Sequence, residues 1–164
     1  VLANSVYPCS LQVDHDFAYD AHHAELKITA LIPPPNRLPT TQSYKYNKSA
    51  DEVTASEMSR KAQKDRYASI VLQVALRTLH EVFEADRRGL IRSIALVVGT
   101  ATVDPATGQD TTFPFVAVAA ERKQFQDIIL ARAAPEAALV RLGASLSKSP
   151  IDLVRADTSG IRHV

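Results

Sequence analysis

The chain has 164 residues with a formal net charge of +1, and 46% of its residues are hydrophobic. That length supports one domain with a hydrophobic core, and the near-neutral charge excludes a global field that would attract a polyanion. The single cysteine, Cys9, excludes an internal disulfide, fits a reducing cytoplasmic compartment and lacks the partners of a nucleophile. No apolar run reaches membrane-spanning length, and the start at Val1 indicates a fragment of a longer or processed protein.

The first elements in the chain are predicted to form a β-hairpin. Apolar and polar residues alternate over residues 11–20 and again over residues 25–32, which is the period of a half-buried strand. Matching the two apolar faces sets Phe17 opposite Ile28 and leaves residues 21–24 as the loop. A triple proline then ends the second strand, because proline cannot donate to a ladder.

A long helix is predicted over residues 54–89, after a polar connection at residues 36–53 in which Tyr44 to Lys48 form a short extended edge. Thr54 and Glu57 have the spacing of a capping box, in which each side chain bonds the backbone N–H of the other residue. Gly89 supplies the stop, because glycine adopts the left-handed conformation past a helix end. A continuous helix of this length would measure about 45–50 Å.

The second half of the predicted helix is apolar on a broad arc, whereas its first part, residues 56–66, is polar. Two adjacent stripes at helical spacing make up the arc: Tyr67, Ile70, Val71, Val74, Thr78 and Val82, then Leu72, Leu76, Leu79 and Phe83. So wide an arc indicates burial between a sheet and a further layer. We expect the polar part to face solvent or a partner.

Two more strands are predicted after the helix. Residues 91–103 are almost all apolar or small, which is typical of a strand covered on both faces. Residues 104–108 form a proline-containing turn that ends in glycine, and residues 112–120 return with Pro114 at an edge or a bulge. The remaining segments are predicted as a polar turn, a helix and a short final turn: residues 121–127, 135–146 and 149–152.

The resulting order is ββαββα, an α/β fold of the α+β type in which an antiparallel or mixed sheet packs on one long central helix. We expect residues 1–164 to form a single domain. Its predicted parts are a hairpin with a linker, the long helix, a second hairpin and C-terminal helices: residues 1–53, 54–89, 90–120 and 121–164.

The polar face of the first hairpin carries Asp14, Asp16, Glu25 and Lys27. An aspartate followed by Glu-x-Lys on the next strand is the skeleton of many Mg²⁺-dependent nuclease sites, where carboxylates hold the metal and the lysine orients the nucleophile. Asp16, Glu25 and Lys27 are therefore candidates for catalysis. The alternative is a solvated outer face, because so short a pattern is common.

Three histidines stand among aspartates near the same hairpin, and imidazole with carboxylate is a ligand set for Zn²⁺. His15 falls on the apolar face of the first strand, whereas His22 and His23 lie in the loop. Because these side chains are not expected to converge, no metal site is predicted.

A basic and aromatic stretch crosses the linker and the start of the helix. Cations follow phosphates and tyrosines stack on unpaired bases, so this stretch is a candidate for DNA contact. Its members are Tyr44, Lys45, Tyr46, Lys48, Arg60, Lys61, Lys64 and Arg66. Carboxylates in the same stretch support the alternative of a solvated, mixed-charge face.

Several stretches together resemble the segment that precedes the nuclease domain in actinobacterial Mrr-type restriction endonuclease proteins. The most specific one is the helix motif at residues 66–86, RYASIVLQVALRTLHEVFEAD. The others are VLANSVYP at 1–8, YKY at 44–46, DPATG at 104–108 and SLSKSP at 145–150. The resemblance covers most of the chain and implies that this segment is the non-catalytic companion of a nuclease domain further along the parent protein.

In that family the catalytic carboxylates and lysine, and with them Mg²⁺, belong to the separate nuclease domain. The resemblance therefore assigns no catalytic residue and no cofactor to this segment, and it weakens the case for Glu25 and Lys27. The expected function is that of an accessory domain in a bacterial defence protein, which recognises DNA or regulates the nuclease domain of the same chain. The alternatives are an oligomerisation or protein-interaction module that forms a homodimer without DNA contact, and a metal-dependent nuclease that uses Asp16, Glu25 and Lys27. No membrane partner is expected.

Overall fold

The computed structural model describes Leu2, residues 5–7 and residues 11–161. Its strands are β1 (Asp14–Asp20), β2 (Glu25–Leu31), β3 (Thr41–Asn47), β4 (Glu52–Glu57), β5 (Ser93–Val103), β6 (Asp110–Glu121) and β7 (Ser145–Leu146). Its α-helices are α1 (Arg60–Ala85), α2 (Arg122–Gln126) and α3 (Pro135–Arg141), and short 3-10 turns cover Pro35–Arg37 and Pro150–Asp152. The predicted α+β class, with a mixed sheet packed on one long helix, is confirmed. The described order, ββββαββααβ, contains a hairpin and a short last strand that the prediction lacked.

The main sheet has five strands in the order β1-β2-β5-β6-β7. Strands β2 and β5 run parallel and the other neighbours run antiparallel, so the sheet is mixed. Phe17 lies opposite Ile28 and residues 21–24 connect β1 to β2, as the alternation predicted. Because cross-strand partners share a face, this register also assigns every side chain of β1 to one face of the sheet or the other.

The helix α1 begins later than the sequence indicated. Ser59 is its N-cap, and the Ser59 hydroxyl accepts a hydrogen bond from the Ala62 amide at 3.2 Å. The prediction of a capping box at Thr54 was wrong, because residues 52–57 pair with β3 as a strand. The helix is unbroken over 26 residues, or about 39 Å, and ends at Ala85 with Asp86 as its C-cap. The predicted end at Gly89 was too late: Gly89 takes a positive φ of 67° in the turn after the helix, where the Asp86 carboxylate accepts the Leu90 and Ile91 amides.

The apolar arc of α1 packs on the sheet, as its width predicted. The described residues place both stripes in one core with the inward faces of β2, β5 and β6 and with α3. The Tyr67 ring meets the Phe115 ring edge-on at 5.9 Å, and the Tyr67 hydroxyl donates to the Pro33 carbonyl at 3.0 Å. Tyr67 therefore anchors the point at which the chain leaves the sheet after β2.

Three local predictions after α1 have different outcomes. The turn at residues 104–108 is confirmed, and Pro114 lies beside a bulge opposite Gly99. The polar turn at residues 121–127 was wrong, since residues 122–126 form α2 and bury Phe125. The helix at residues 135–146 was too long: it ends before Gly143, whose φ is 77°, and the chain then forms β7.

The outer strand β1 is more exposed than the sequence predicted. Phe17 and Tyr19 lie on the same face as α1, yet they are 67% and 49% exposed. The helix packs over the centre of the sheet and does not reach this edge, so half-burial of the strand does not follow from its alternating pattern.

Candidate functional site

The most exposed element of the described fold is a β-arm, which we define as residues 41–57. Its strands β3 and β4 pair only with each other, in a two-stranded sheet separate from the main one. Every described residue of the β-arm after Thr41 is exposed. The predicted extended edge at Tyr44 to Lys48 is confirmed over Tyr44 to Asn47, which belong to β3. The prediction that the first turns of the helix follow the linker at residue 54 was wrong, because residues 52–57 form β4.

The β-arm has one aromatic face and one polar face. Tyr44 lies opposite Ala55 and Tyr46 opposite Val53, which puts all four side chains on the same side. Tyr44, Tyr46 and Val53 are 73%, 56% and 64% exposed. A contiguous apolar face on an element that no described part of the chain covers is typical of a docking surface.

The opposite face of the β-arm carries hydroxyls and a cation. The hydroxyls of Ser43 and Ser56 are 2.8 Å apart, and the Thr54 hydroxyl donates to the Lys45 carbonyl at 3.1 Å. The tip is closed by the Tyr46 hydroxyl, which donates to the Asp51 carboxylate at 2.5 Å. The tyrosine rings and the Lys45 ammonium therefore point to opposite sides of the ribbon.

The base of the β-arm is fastened to α1. The Met58 amide donates to the Thr40 carbonyl at 2.8 Å, and the Gln63 side chain donates to the Met58 carbonyl at 3.0 Å. The Arg66 guanidinium donates to the Pro39 carbonyl at 3.1 Å and contacts the Met58 sulfur. Arg66, predicted as a DNA contact, is thus part of the clamp that sets the direction of the β-arm.

The other predicted basic residues are divided between the start of α1 and the β-arm. Arg60 forms an ion pair with Asp152 at 2.9 Å, and the Ser149 hydroxyl together with the charges of Arg60 and Lys64 lowers the pKa of Asp152. Lys61 and Lys64 are exposed at the start of α1. Within the β-arm itself, Lys45 and Lys48 are outnumbered by three carboxylates: Asp51, Glu52 and Glu57.

The candidates for metal-dependent catalysis share the outer face of the sheet but are spread along it. Asp16 lies opposite Thr29, whereas Glu25 lies opposite Asp20, four residues further along the strand. That offset is about 13 Å, too far for both carboxylates to bind one ion. Among the described residues, no three His, Cys, Asp or Glu side chains are arranged to hold a metal.

His15 lies apart from His22 and His23, which are adjacent in the loop after β1. The His23 Nδ1 lies 2.7 Å from the Asp20 carboxylate, which lowers the pKa of Asp20, and the His22 ring packs edge-on against His23 at 4.8 Å. His15 lies at the other end of β1. Its Nε2 is buried and has no hydrogen-bond partner among the described residues, and burial lowers its pKa.

A half-buried polar cluster beside His15 was not predicted. The Arg77 guanidinium donates to the Glu81 carboxylate at 2.7 Å and lies 4.8 Å from the centre of the Tyr7 ring. The Ser5 hydroxyl also donates to Glu81. These contacts attach residues 5–7 to α1, and no sequence signal links residues so far apart in the chain. Cys9 lies outside the described residues.

Val53 and Ala55 are members of the aromatic face that the prediction missed. Their alternation with Thr54 and Ser56, after a polar stretch that suits a turn, was the available signal.

No protein-family model, curated protein or solved structure matches the chain. Within the described residues, no helix has the length and apolar character needed to cross a membrane.

Proposed function

We propose that this domain is the accessory, non-catalytic module of a bacterial, cytoplasmic defence protein of the restriction-endonuclease type, and that it docks a protein partner through the β-arm. The family context rests on the resemblance in sequence. The docking role rests on one observation: Tyr44, Tyr46 and Val53 form an exposed face on a ribbon that makes no sheet with the rest of the described fold.

Energetics support a covered β-arm. A two-stranded hairpin alone is marginally stable in water, because it has no third strand or helix on which to pack its apolar face. Covering the two tyrosines and the valine would remove on the order of 300 Å² of apolar surface, worth about 7 kcal/mol before the costs of association. A partner would therefore stabilise the β-arm as well as bind it.

Charge favours a protein over DNA as this partner. DNA affinity comes largely from cations that neutralise phosphates. The β-arm has more carboxylates than lysines, and its tyrosines face away from Lys45. Stacking on bases and contact with phosphates would therefore need opposite faces of one ribbon.

DNA recognition is the second candidate. Two-stranded β-ribbons can enter DNA grooves, and this ribbon carries Lys45 and Lys48 next to a helix start that exposes Lys61 and Lys64. In either case, Mg²⁺ and catalysis are proposed to belong to a separate nuclease domain of the parent protein. The domain would then act by positioning or regulating that nuclease.

The test compares two pairs of variants of the 164-residue chain. Protein docking predicts that Tyr44→Ser with Tyr46→Ser weakens self-association or binding to the separately purified nuclease part, without altering weak binding to duplex DNA. Lys61→Glu with Lys64→Glu should leave those protein contacts intact. Low-salt DNA binding that is lost only in the lysine variant would instead support DNA recognition.

A further inference from the structure

We propose that the partner of the β-arm is a second copy of this chain, and that β3 of one copy adds as a sixth strand to the free edge of β1 of the other. This inference rests on the proposed docking role and names the surface that would be docked. It is carried by the match between two strands that, among the described residues, are each unpaired on one side.

The receiving edge is β1. It is the end strand of the main sheet, and no described strand pairs with its outer side. The strand has seven residues, and alternate ones direct their backbone N–H and C=O groups away from β2, in the pattern that accepts another strand. Phe17 and Tyr19 stand exposed on one side of this edge.

The two strands carry matching patterns on both faces. In β1, Phe17 and Tyr19 alternate with Asp16 and Asp20; in β3, Tyr44 and Tyr46 alternate with Lys45. Because side chains alternate with a period of two, a register that puts tyrosines beside Phe17 and Tyr19 necessarily puts Lys45 on the aspartate face. In that register Lys45 lies opposite Ala18, with Asp16 and Asp20 as its diagonal neighbours on the same face. Aromatic pairs then form together with a diagonal contact between opposite charges, which the long lysine side chain can reach.

The same charges disfavour the competing pairings. Two β1 edges brought together would set three aspartates of each copy on one face: Asp14, Asp16 and Asp20. Like charges across strands are destabilising, so these aspartates disfavour pairing between two β1 edges. The same aspartates favour pairing with a strand that carries lysine. Each copy has one β-arm and one β1 edge, so a reciprocal exchange would close a dimer with two equal contacts.

A charge-swap experiment tests this arrangement. Sedimentation velocity of the wild-type chain over a wide concentration range should show a reversible dimer. Lys45→Glu and Asp16→Lys should each raise the dissociation constant about tenfold, because each homodimer then contains two repulsive contacts of the strength of an exposed ion pair.

Mixing the two variants should restore wild-type affinity. In the mixed dimer, the Lys45→Glu arm meets the Asp16→Lys edge, while the wild-type lysine of one copy meets the wild-type aspartate of the other. Lys61→Glu is the matched control, since it makes the same charge change at an exposed site outside the β-arm and should leave the dimer unchanged.

Three results would overturn the inference: a chain that stays monomeric up to its solubility limit, variants that dimerise like the wild type, or weakened variants that mixing does not rescue. The first result leaves the proposed function standing if the β-arm still binds the nuclease part. If the tyrosine variants also fail to change any protein contact, the proposed function fails as well.

Discussion

Replacing Gly99 by alanine tests the junction from which the chain leaves the sheet toward the β-arm. A Cβ at Gly99 would stand 2.4 Å from the Phe113 carbonyl oxygen and 3.1 Å from the Pro114 Cα. Both obstacles are backbone, so no side-chain rotation relieves the clash, and β5 and β6 must separate by roughly an ångström. The Gly99 carbonyl also accepts the Ile32 amide at 2.9 Å, so the strain reaches the end of β2.

We expect Gly99→Ala to lower the free energy of unfolding by about 2–4 kcal/mol, which combines the cost of overpacking with one or two weakened ladder hydrogen bonds. In urea, the midpoint should fall by roughly 1–2 M while the slope stays unchanged.

Gly160→Ala is the matched control for this prediction. No atom of the described residues beyond the two chain neighbours lies within 4 Å of a Cβ built at Gly160, and its φ is not in the left-handed region. That variant should be as stable as the wild type or slightly more stable. If the two alanine variants unfold at the same urea concentration, the argument that backbone approach at the bulge requires glycine is refuted.

Three further variants probe the ionisable groups and the clamp. Burial opposes ionisation of Asp86, but the Ile91 and Leu90 amides and the Arg122 charge outweigh it and lower the pKa of that carboxyl. Asp86→Asn should lower the free energy of unfolding by about 1–2 kcal/mol, measured in urea at neutral pH. The difference between variant and wild type should vanish as the pH falls through the lowered pKa. Burial lowers the pKa of His15, so the folded chain binds a proton at this imidazole less readily than the unfolded chain does. The free energy of unfolding should therefore fall as the pH drops below about 6.5. His15→Leu should make the free energy of unfolding less dependent on pH in this range. Arg66→Ala should accelerate hydrogen exchange at the amides of the β-arm without moving the global melting temperature by more than a few degrees, and unchanged exchange would contradict its role in the clamp.

The start of α1 illustrates the limit of local signals. Thr54 and Glu57 have the spacing of a capping box, but the structure uses Ser59, five residues further along, as the N-cap. The helix begins after Ser59 because residues 52–57 pair with β3 as a strand. In this hairpin Tyr46 lies opposite Val53 and Tyr44 opposite Ala55. A cross-strand pair depends on how the chain turns between the two strands. A capping pattern contains no information about that turn, because it involves only residues three positions apart.

The candidate site was predicted by composition more than by geometry. Tyr44, Lys45, Tyr46 and Lys48 were singled out and do lie on the most exposed element of the described fold. Their division between two faces, and the engagement of Arg66 at the base of the β-arm, were not predictable without the hairpin.

Periodicity within the sequence determined the α+β class, the pairing of Phe17 with Ile28, the apolar arc of α1 and the turn at residues 104–108, because each depends on neighbours a few residues apart. Only the tertiary structure decided that β2 lies parallel to β5 and that β1 is left at an exposed edge. It also decided that residues 41–57 stand out as a ribbon. Those outcomes depend on which strands meet across long separations in the chain and on how far one helix can cover a sheet, and no local pattern of residues encodes either.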